Sequence, residues 1–460
     1  MLLRGVLLLF LLFGSAIATA QATTDNDALI REEMAYHVGV LAYIYGYPMV
    51  DMQKQMYNDT HRVSAGQTTY APVNRFYHFK QLVTPETAGT LRAPNSDTLY
   101  FAGWFDLTEE PVIVHNPDTK GRYYTMAVTN LYAEVTHLGR RTVGTEEHYH
   151  ALVGPGWEGK LPRGVKAVQL DTNKAWILGR LLVDGKSDLP VALEMLQQFW
   201  ASPLSKWRRG KPLSVAIEQK AEAIDPLNTV EYFSYLNQAI RANPRRPDEA
   251  ALMTQFDTIG VGPNSSFQAG ELHDDLKAGL ERAIIDARKL IAAASRRTIP
   301  AVNGWMISKE IGRYGHDYLH RAAVVMGGYG NLPEESLYAA TLFDQKNEML
   351  SGSKSYRIHF GKDELPPVNG FWSLAAYRVE DANLENNRIE RYSIGDRTSG
   401  LQYHADGSIT FHLQHKVPAS GETNWLPTPA GGFYVIMRLY EPAEELLDGR
   451  YQLPPIAVAD

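Results

Sequence analysis

Polar side chains that could bind or transform a small molecule are concentrated in one stretch, residues 92–134. Asp and Tyr side chains can act as general acids or bases, Arg can hold a carboxylate through two parallel hydrogen bonds, and Asn can fix a hydroxyl group. The stretch supplies all four residue types between apolar and aromatic runs. We predict Asp97, Tyr100 and Tyr124 as acid-base residues, and Asn95, Arg122, Asn130 and Tyr132 as substrate-binding residues.

The same side chains could serve the fold instead of a ligand. Asn95 and Asp97 precede an apolar run, so they could cap the turn before a strand. Arg122 could pair with Asp97 or with Asp106. A buried polar group needs a partner of one kind or the other, and the sequence leaves both possibilities open.

Three runs of apolar, β-branched or aromatic residues in this stretch predict β-strands. The turn sequences LTEEP and NPDTKG separate them, which predicts a β-meander. Side chains alternate between the two faces of a strand, and in the run 98–106 neither face is polar enough for free contact with solvent. We therefore expect this sheet to be covered on both sides.

Length and composition limit the class of protein. A chain of 460 residues is too long for one ordinary core, which predicts two or three domains. The net charge of -7 provides no basic surface for nucleic acid, so we expect no nucleic-acid partner. The absence of cysteine excludes disulfides, thiol catalysis and cysteine-type zinc sites.

The N-terminus has the pattern of a secretory signal peptide, residues 1–22. One Arg precedes an apolar core, and Ala18-Thr19-Ala20 has the form of a cleavage site. A membrane anchor is the alternative, but the apolar core is shorter than the roughly 20 residues that a span needs. We expect a periplasmic or secreted protein without membrane contact after cleavage.

Residues 23–60 predict an amphipathic helix that breaks near Gly46-Tyr47-Pro48. We expect its aromatic side to pack against the sheet; that side consists of Tyr36, Tyr43, Tyr45 and Tyr47.

The rest of the chain changes character twice. Short strand patterns with frequent turns predict a β-sandwich over residues 61–188, and helical periods between proline breaks predict a helical domain over 189–335. Strand patterns return in 336–460, which indicates a second sandwich or a jelly roll. The fold class is therefore mainly β with a central α-helical section.

Other motifs give weak support for chemistry. The sequence has no G-x-S-x-G, H-E-x-x-H, P-loop or dinucleotide motif. His148 with His150, or His316 with His320, have the spacing of metal-binding pairs, but neither pair has a clear third ligand. We predict no metal and no cofactor. Four residues of the second half of the chain complete the predicted substrate-binding set: Tyr318, Arg321, Trp425 and Arg438.

Several long segments resemble two bacterial families. PNSDTLYFAGWFDLTEEPVIVHNPDTKGRYY, with GYPMVDM and LVGPGW, resembles domain of unknown function 1254. RYGHDYLHRAA, PPVNGFWSLAAY, DGSITFHLQ, NWLPTPAGGF and RLYEP resemble its usual C-terminal companion, domain of unknown function 1214. The resemblance implies an immunoglobulin-like β-sandwich, a helical section and a jelly-roll-like β-sandwich. It supplies no catalytic residue.

These observations favour an exported enzyme, a hydrolase or lyase, that acts on a small polar or glycan-like molecule in a cleft between the sandwiches. The alternative is a non-catalytic periplasmic protein that binds a ligand or assists envelope assembly. The sequence leaves the oligomeric state open, with a homo-oligomer among the options.

Overall fold

The structure is a computed structural model that describes residues 3–64, 67, 69–88, 93–208, 219–243, 246–295 and 299–459, with side chains from residue 26 onward. The predicted signal peptide, residues 1–22, therefore lies outside the described side chains. The chain divides into two compact units. Unit 1 comprises residues 1–58, 223–296 and 317–326, and unit 2 comprises the remaining residues.

Helices occur in both units. In chain order they are α1 (Leu3–Thr60), α2 (Arg140–Val143), α3 (Leu189–Leu196), α4 (Glu231–Ala242), α5 (Ala250–Asp257), α6 (Asp274–Ala294), α7 (Tyr318–Gly327) and α8 (Glu444–Leu447). Within the described part of the chain, none of them combines the length and apolarity needed to cross a bilayer.

The strands follow the same numbering along the chain. They are β1 (Tyr77–His78), β2 (Thr98–Asp106), β3 (Val112–Asn116), β4 (Tyr124–Asn130), β5 (Val135–Gly139), β6 (His148–Val153), β7 (Val165–Gln169), β8 (Lys174–Leu182), β9 (Trp200–Pro203), β10 (Ala301–Val302), β11 (Trp305–Ile307), β12 (Ser336–Thr341), β13 (Tyr356–Phe360), β14 (Trp372–Arg378), β15 (Ile394–Gly395), β16 (Ile409–Gln414), β17 (Trp425–Pro427), β18 (Phe433–Tyr440) and β19 (Ala457–Val458).

Unit 1 is helical, and its first helix corrects two predictions. Helix α1 continues through Pro48, so the predicted break near that residue is wrong. A proline removes only one backbone donor, and packing of the flanking turns outweighs that loss here. The aromatic side of α1, which we expected to pack against a sheet, contacts helices of unit 1: the ring centroids of Tyr43 and Tyr232 lie 4.1 Å apart, and those of Tyr45 and Phe256 lie 5.5 Å apart.

Unit 2 contains four β-sheets. Sheet A has the strand order β1-β2-β8-β4-β5, and sheet B has the order β7-β6-β3-β9. Sheet C has the order β10-β11-β12-β18-β14-β15, and sheet D has the order β17-β16-β13-β19. The predicted strands β2, β3 and β4 are present, but the predicted meander is wrong. Strand β3 belongs to sheet B, and β8 lies between β2 and β4.

Sheets A and B enclose one hydrophobic core, and sheets C and D enclose a second one. Leu99 and Met126 of sheet A meet Val114 of sheet B in one core, and Leu337 and Met437 of sheet C meet Phe411 of sheet D in another. These two cores, with the helices of unit 1, confirm the prediction of a mainly β chain with a helical section. Nearly every residue of β2 is buried, which also confirms that sheet A is covered on both faces.

The predicted domain boundaries stay predictions, although three strands, β9, β10 and β11, fall within the range 189–335. Strand β9 pairs with β3 of sheet B, and β11 pairs with β12 of sheet C. Parts of the range 189–335 therefore belong to the β-sheets of unit 2.

Gly179 in β8 is one of the positions at which sheet A leaves no room for a side chain. A Cβ atom there would lie 2.1 Å from Cζ of Phe101, whose ring is already packed against Phe199 with centroids 4.6 Å apart. We expect Gly179→Ala to lower the free energy of unfolding by about 1–3 kcal/mol, because the core must shift to admit a methyl group. Urea denaturation measures this loss. Gly270→Ala is the control: its Cβ would meet no atom within 4 Å, so a loss of similar size there would contradict the steric explanation.

Candidate functional site

The face of sheet A that points away from its core carries a buried arginine. Arg180 is the single charged residue between Lys174 and Leu182 in β8, and it lies directly opposite Tyr100 of β2. Arg180 is 7% exposed and Tyr100 is 8% exposed. The Nη1 atom of Arg180 donates a hydrogen bond of 3.0 Å to the Tyr100 hydroxyl. Because successive side chains of a strand point to opposite faces, Arg180 lies on the face of β8 that is turned away from the core.

Sheet C carries a second buried arginine on the face away from its own core. Arg438 of β18 is 3% exposed and lies opposite Tyr338 of β12. Its Nη1 atom donates a 2.6 Å hydrogen bond to the hydroxyl of Tyr377. Tyr440 follows two residues after Arg438 in β18 and therefore shares its face.

The loop before β2 connects these two faces. Asn95 donates hydrogen bonds of 2.8 Å to the hydroxyls of Thr98 and Tyr440. Nη2 of Arg438 donates to the carbonyl of Ala93 at 2.6 Å, and the Tyr377 hydroxyl donates to the carbonyl of Pro94 at 2.9 Å. The polar faces of sheets A and C therefore meet at this loop.

In the part of the chain that the structure describes, neither of these two guanidinium groups has a carboxylate partner. Among the residues that the structure describes, no Asp or Glu oxygen lies within 4.0 Å of Arg180 or Arg438. Burial opposes the charged form of Arg180, but an arginine guanidinium does not lose its proton in proteins. Arg180 therefore remains a cation inside the protein.

Several hydrogen-bond donors around Arg180 have no acceptor within the described part of the chain. The Nε atom of Arg180 and the hydroxyl of Ser336 are buried without a partner. The hydroxyls of Tyr100 and Tyr440 each accept a hydrogen bond, which leaves their protons unused. Burial raises the pKa of Tyr440 well above its usual value, so this hydroxyl stays protonated. We name the residues of this region the donor cluster: Tyr100, Arg180, Ser336, Tyr338, Arg438 and Tyr440.

Asp97 lies beside the donor cluster, but its carboxylate is fully engaged. It accepts hydrogen bonds from the hydroxyls of Ser373 at 2.5 Å and Ser393 at 2.8 Å, and from Nη2 of Arg397 at 3.2 Å. The backbone amide of Asp97 donates to the side chain of Asn95 at 2.6 Å, so Asn95 does shape this turn. Asp97 therefore joins the loop before β2 to two segments of the C-terminal half.

Arg122 and Tyr124 lie away from the donor cluster. Arg122 pairs with Asp188 and not with the anticipated Asp97 or Asp106, and it also donates to the carbonyl of Leu182 at 2.8 Å. Bonding to Asp188 raises the pKa of Arg122. Tyr124 lies opposite Leu181 on the core face of sheet A, and its hydroxyl donates to the carbonyl of Gly144 at 3.1 Å. Burial raises the pKa of Tyr124 above its usual value.

The remaining predicted residues are dispersed. Asn130 accepts hydrogen bonds from the amides of Tyr132 and Glu134 and so closes a turn after β4. Tyr318 and Arg321 belong to unit 1, where the Tyr318 hydroxyl donates to Glu249 at 3.0 Å.

Of the predicted residues, the donor cluster thus unites Tyr100 and Arg438, with Asn95 in contact. Arg180, Ser336, Tyr338 and Tyr440 were not predicted from the sequence as site residues. One signal was present for Arg180: a lone arginine inside the apolar run AWILGRLL, which is a costly position unless the charge is used.

Among the described residues, neither predicted histidine pair is grouped with a third potential metal ligand. The rings of His148 and His150 lie 5.7 Å apart, and Nε2 of His148 is 2.8 Å from the carbonyl of Val143. In the described residues, no group of three His, Asp or Glu side chains is arranged to hold a metal ion.

Two family models match the chain. Residues 73–203 match "Protein of unknown function (DUF1254)", and residues 335–444 match "Protein of unknown function (DUF1214)". These matches confirm the resemblance and its order along the chain. The donor cluster draws residues from both regions. No curated protein matches the sequence.

Two solved structures are similar over nearly the whole chain. The VPA0106 protein from Vibrio parahaemolyticus has a TM-score of 0.71 and 24% sequence identity, and the alignment covers 93% of this chain and 100% of that one. At this identity the likeness establishes a shared fold alone. A putative uncharacterized protein from Burkholderia cenocepacia gives a TM-score of 0.44 and 14% identity, with 97% and 98% of the two chains covered.

Proposed function

The chain carries a DUF1254 region followed by a DUF1214 region, and we propose that it binds a small organic anion at the donor cluster. The main support is Arg180, a buried guanidinium without a carboxylate partner among the described residues. An unpaired buried charge costs several kcal/mol unless a ligand compensates it. An anion would supply the missing opposite charge.

The chemistry of the donors favours a carboxylate. One side of the Arg180 guanidinium contacts Tyr100, while its Nε atom has no described partner. The planar N–H fork of arginine matches the two oxygens of a carboxylate, and such paired hydrogen bonds are among the strongest in proteins. Tyrosine and serine hydroxyls could donate to the same oxygens. A sugar acid or a hydroxy acid would fit both this chemistry and a polar, glycan-like ligand.

Turnover of the ligand by a hydrolase or lyase reaction is the second candidate. The Tyr100 hydroxyl accepts a hydrogen bond from Arg180, so its own proton points to no described acceptor and could pass to a leaving group. Asp97 is less suited to this role because three donors already occupy its oxygens. Mass spectrometry of a bound acid after prolonged incubation distinguishes binding from turnover.

We also propose that the protein is exported. The support is the signal-peptide pattern of residues 1–22. Expression of the full chain in a Gram-negative host, followed by fractionation and N-terminal sequencing, tests this proposal. A mature N-terminus near residue 21 or 23 in the periplasmic fraction is expected. An intact N-terminus in the cytoplasm would contradict export without affecting the proposed anion site.

The Arg180→Met variant tests the anion site directly. Native mass spectrometry of the wild-type protein is expected to reveal a co-purified small acid, and the variant should lose it. Without ligand, the variant should be at least as stable as wild type, and more stable by up to about 3 kcal/mol, because it removes an unpaired buried charge.

Arg122→Met is the matched control. It removes an arginine that has a carboxylate partner, so it should leave Asp188 unpaired, lower stability and retain the bound acid. If Arg180→Met destabilises the protein as strongly as the control, and no acid accompanies the wild type, then Arg180 is structural and the proposal is wrong.

A further inference from the structure

A pocket of about 340 Å³ opens in the C-terminal half of unit 2, and none of the donor-cluster residues lines it. Its walls come from residues 386–388, from residues 415–417 after β16, and from β17 with the residue that follows it. The volume lies within the roughly 300–1,000 Å³ that is typical of small-molecule sites. The pocket includes Trp425, a residue predicted from the sequence to bind substrate.

The floor of this pocket is held by hydrogen bonds. The indole nitrogen of Trp425 donates to the carbonyl of Gln414 at 2.8 Å, and Nδ1 of His415 lies 3.0 Å from the carbonyl of Thr428. Trp425 is 2% exposed, so little of its ring is available for stacking. A fixed floor of this kind reduces the entropy that a ligand must overcome.

Two polar groups in the pocket lack partners in the described part of the chain. Thr428 is 1% exposed, and its buried hydroxyl has no hydrogen-bond partner among the described residues. The ammonium group of Lys416 has no carboxylate within 4.0 Å, whereas Arg388 is paired with Glu422. The pocket lining therefore combines an exposed cation, Lys416, with a residue whose buried hydroxyl has no described partner, Thr428.

We propose that this pocket is a second ligand site, which binds an organic anion with an apolar ring. Lys416 would neutralise the anionic group, and a rotation of the Thr428 side chain would turn its hydroxyl toward the ligand for a hydrogen bond. Pro427 and Val417 provide the apolar surface for the ring, and Val417 is 37% exposed. A neutral ring would leave the ammonium group unused, and a small inorganic anion would leave the apolar surface wet. A ring with a carboxylate uses both.

The test uses benzoate as the probe and a methyl group of the pocket as the reporter. The full-length protein is labelled at valine methyl groups, and the Val417 resonance is assigned with Val417→Ile. Benzoate is expected to shift this resonance saturably with a Kd of about 1 mM, while benzyl alcohol should shift it much less. The reporter distinguishes this pocket from the donor cluster, whose residues do not line it.

Two variants and one control complete the experiment. Lys416→Gln should weaken benzoate binding by about 3- to 10-fold, while Lys346→Gln, which removes an exposed charge outside the pocket, should leave it unchanged. Thr428→Val should also weaken binding, yet preserve or raise the stability of the ligand-free protein because it removes an unpaired buried hydroxyl. An unmoved Val417 resonance, an equal response to benzyl alcohol, or binding that is insensitive to Lys416→Gln would each overturn the proposal.

Discussion

Replacement of Asp97 by alanine is expected to lower the free energy of unfolding by about 3–5 kcal/mol, the typical cost of leaving one partner of a buried ion pair alone. Asp97 is 7% exposed, and its carboxylate accepts hydrogen bonds from Ser373, Ser393 and Arg397. In the variant, the guanidinium of Arg397 would keep, among the described residues, the carbonyl of Val183 and its contact with the Phe371 ring. Urea denaturation followed by circular dichroism measures the loss.

A second variant at this position separates the effect of charge from that of shape, and a variant at another position is the control. Asp97→Asn keeps one acceptor oxygen but removes the negative charge, so a smaller loss of about 1–3 kcal/mol is expected. Asp381→Ala is the control, because its partner Arg378 retains Glu385 and the pair is more exposed; a loss of about 1 kcal/mol or less is expected there. If Asp97→Ala costs no more than this control, Asp97 is not a structural anchor and a catalytic role regains support.

The strands and helices of this chain were largely readable from local patterns, but the pairing of strands was not. Alternation and turn residues predicted β2, β3 and β4 correctly. The order of strands in sheet A depends on β8, which lies about 70 residues after β2 and inserts between β2 and β4. A local pattern contains no information on so distant a partner. The helical continuation through Pro48 has a similar origin, since contacts with distant helices stabilise that turn.

The candidate site shows the same limit at the level of side chains. Alternation assigns residues of one strand to two faces, but it does not relate the faces of different strands. The register of sheet A places Tyr100 and Thr125 on either side of Arg180, so Tyr124, the neighbour of Thr125, points into the core. The sequence therefore identified Tyr100 and Tyr124 as similar candidates, whereas the fold separates them. Arg180 and Tyr440 became candidates only when two distant strands met at the loop before β2.

Acid is expected to destabilise the fold through His137, the residue with the largest expected dependence on pH. His137 is 4% exposed; its Nε2 atom accepts the amide hydrogen of Leu332 at 3.2 Å, so its Nδ1–H donates to Thr125 at 3.0 Å. Burial lowers the pKa of His137 from 6.5 to about 3, and the nearby cations Arg141, Arg180 and Arg313 add to this effect. The imidazole is thus neutral in the folded protein at physiological pH.

The direction of the change in stability depends on the pH at which the unfolded and the folded protein each bind the proton. The unfolded chain protonates His137 below pH 6.5, while the folded protein does so only near pH 3, so stability is lost as the pH falls through this window. At about 1.4 kcal/mol per tenfold change in proton affinity, the full loss approaches about 5 kcal/mol. Urea denaturation at pH values from 7 to 4 should show the decline.

The His137→Gln variant isolates this contribution from those of other groups. Glutamine can accept the Leu332 amide but cannot be protonated, so the variant should be less stable than wild type at pH 7 and lose less stability on acidification. His359→Gln is the control, because His359 also lies within hydrogen-bond distance of a threonine hydroxyl, at 2.9 Å, yet is exposed. Equal acid sensitivity of wild type and His137→Gln would assign the decline to other residues. Glu335 would not be one of them and would reduce the loss of stability in acid, because burial raises the pKa of that carboxyl and makes its protonation favour the folded state.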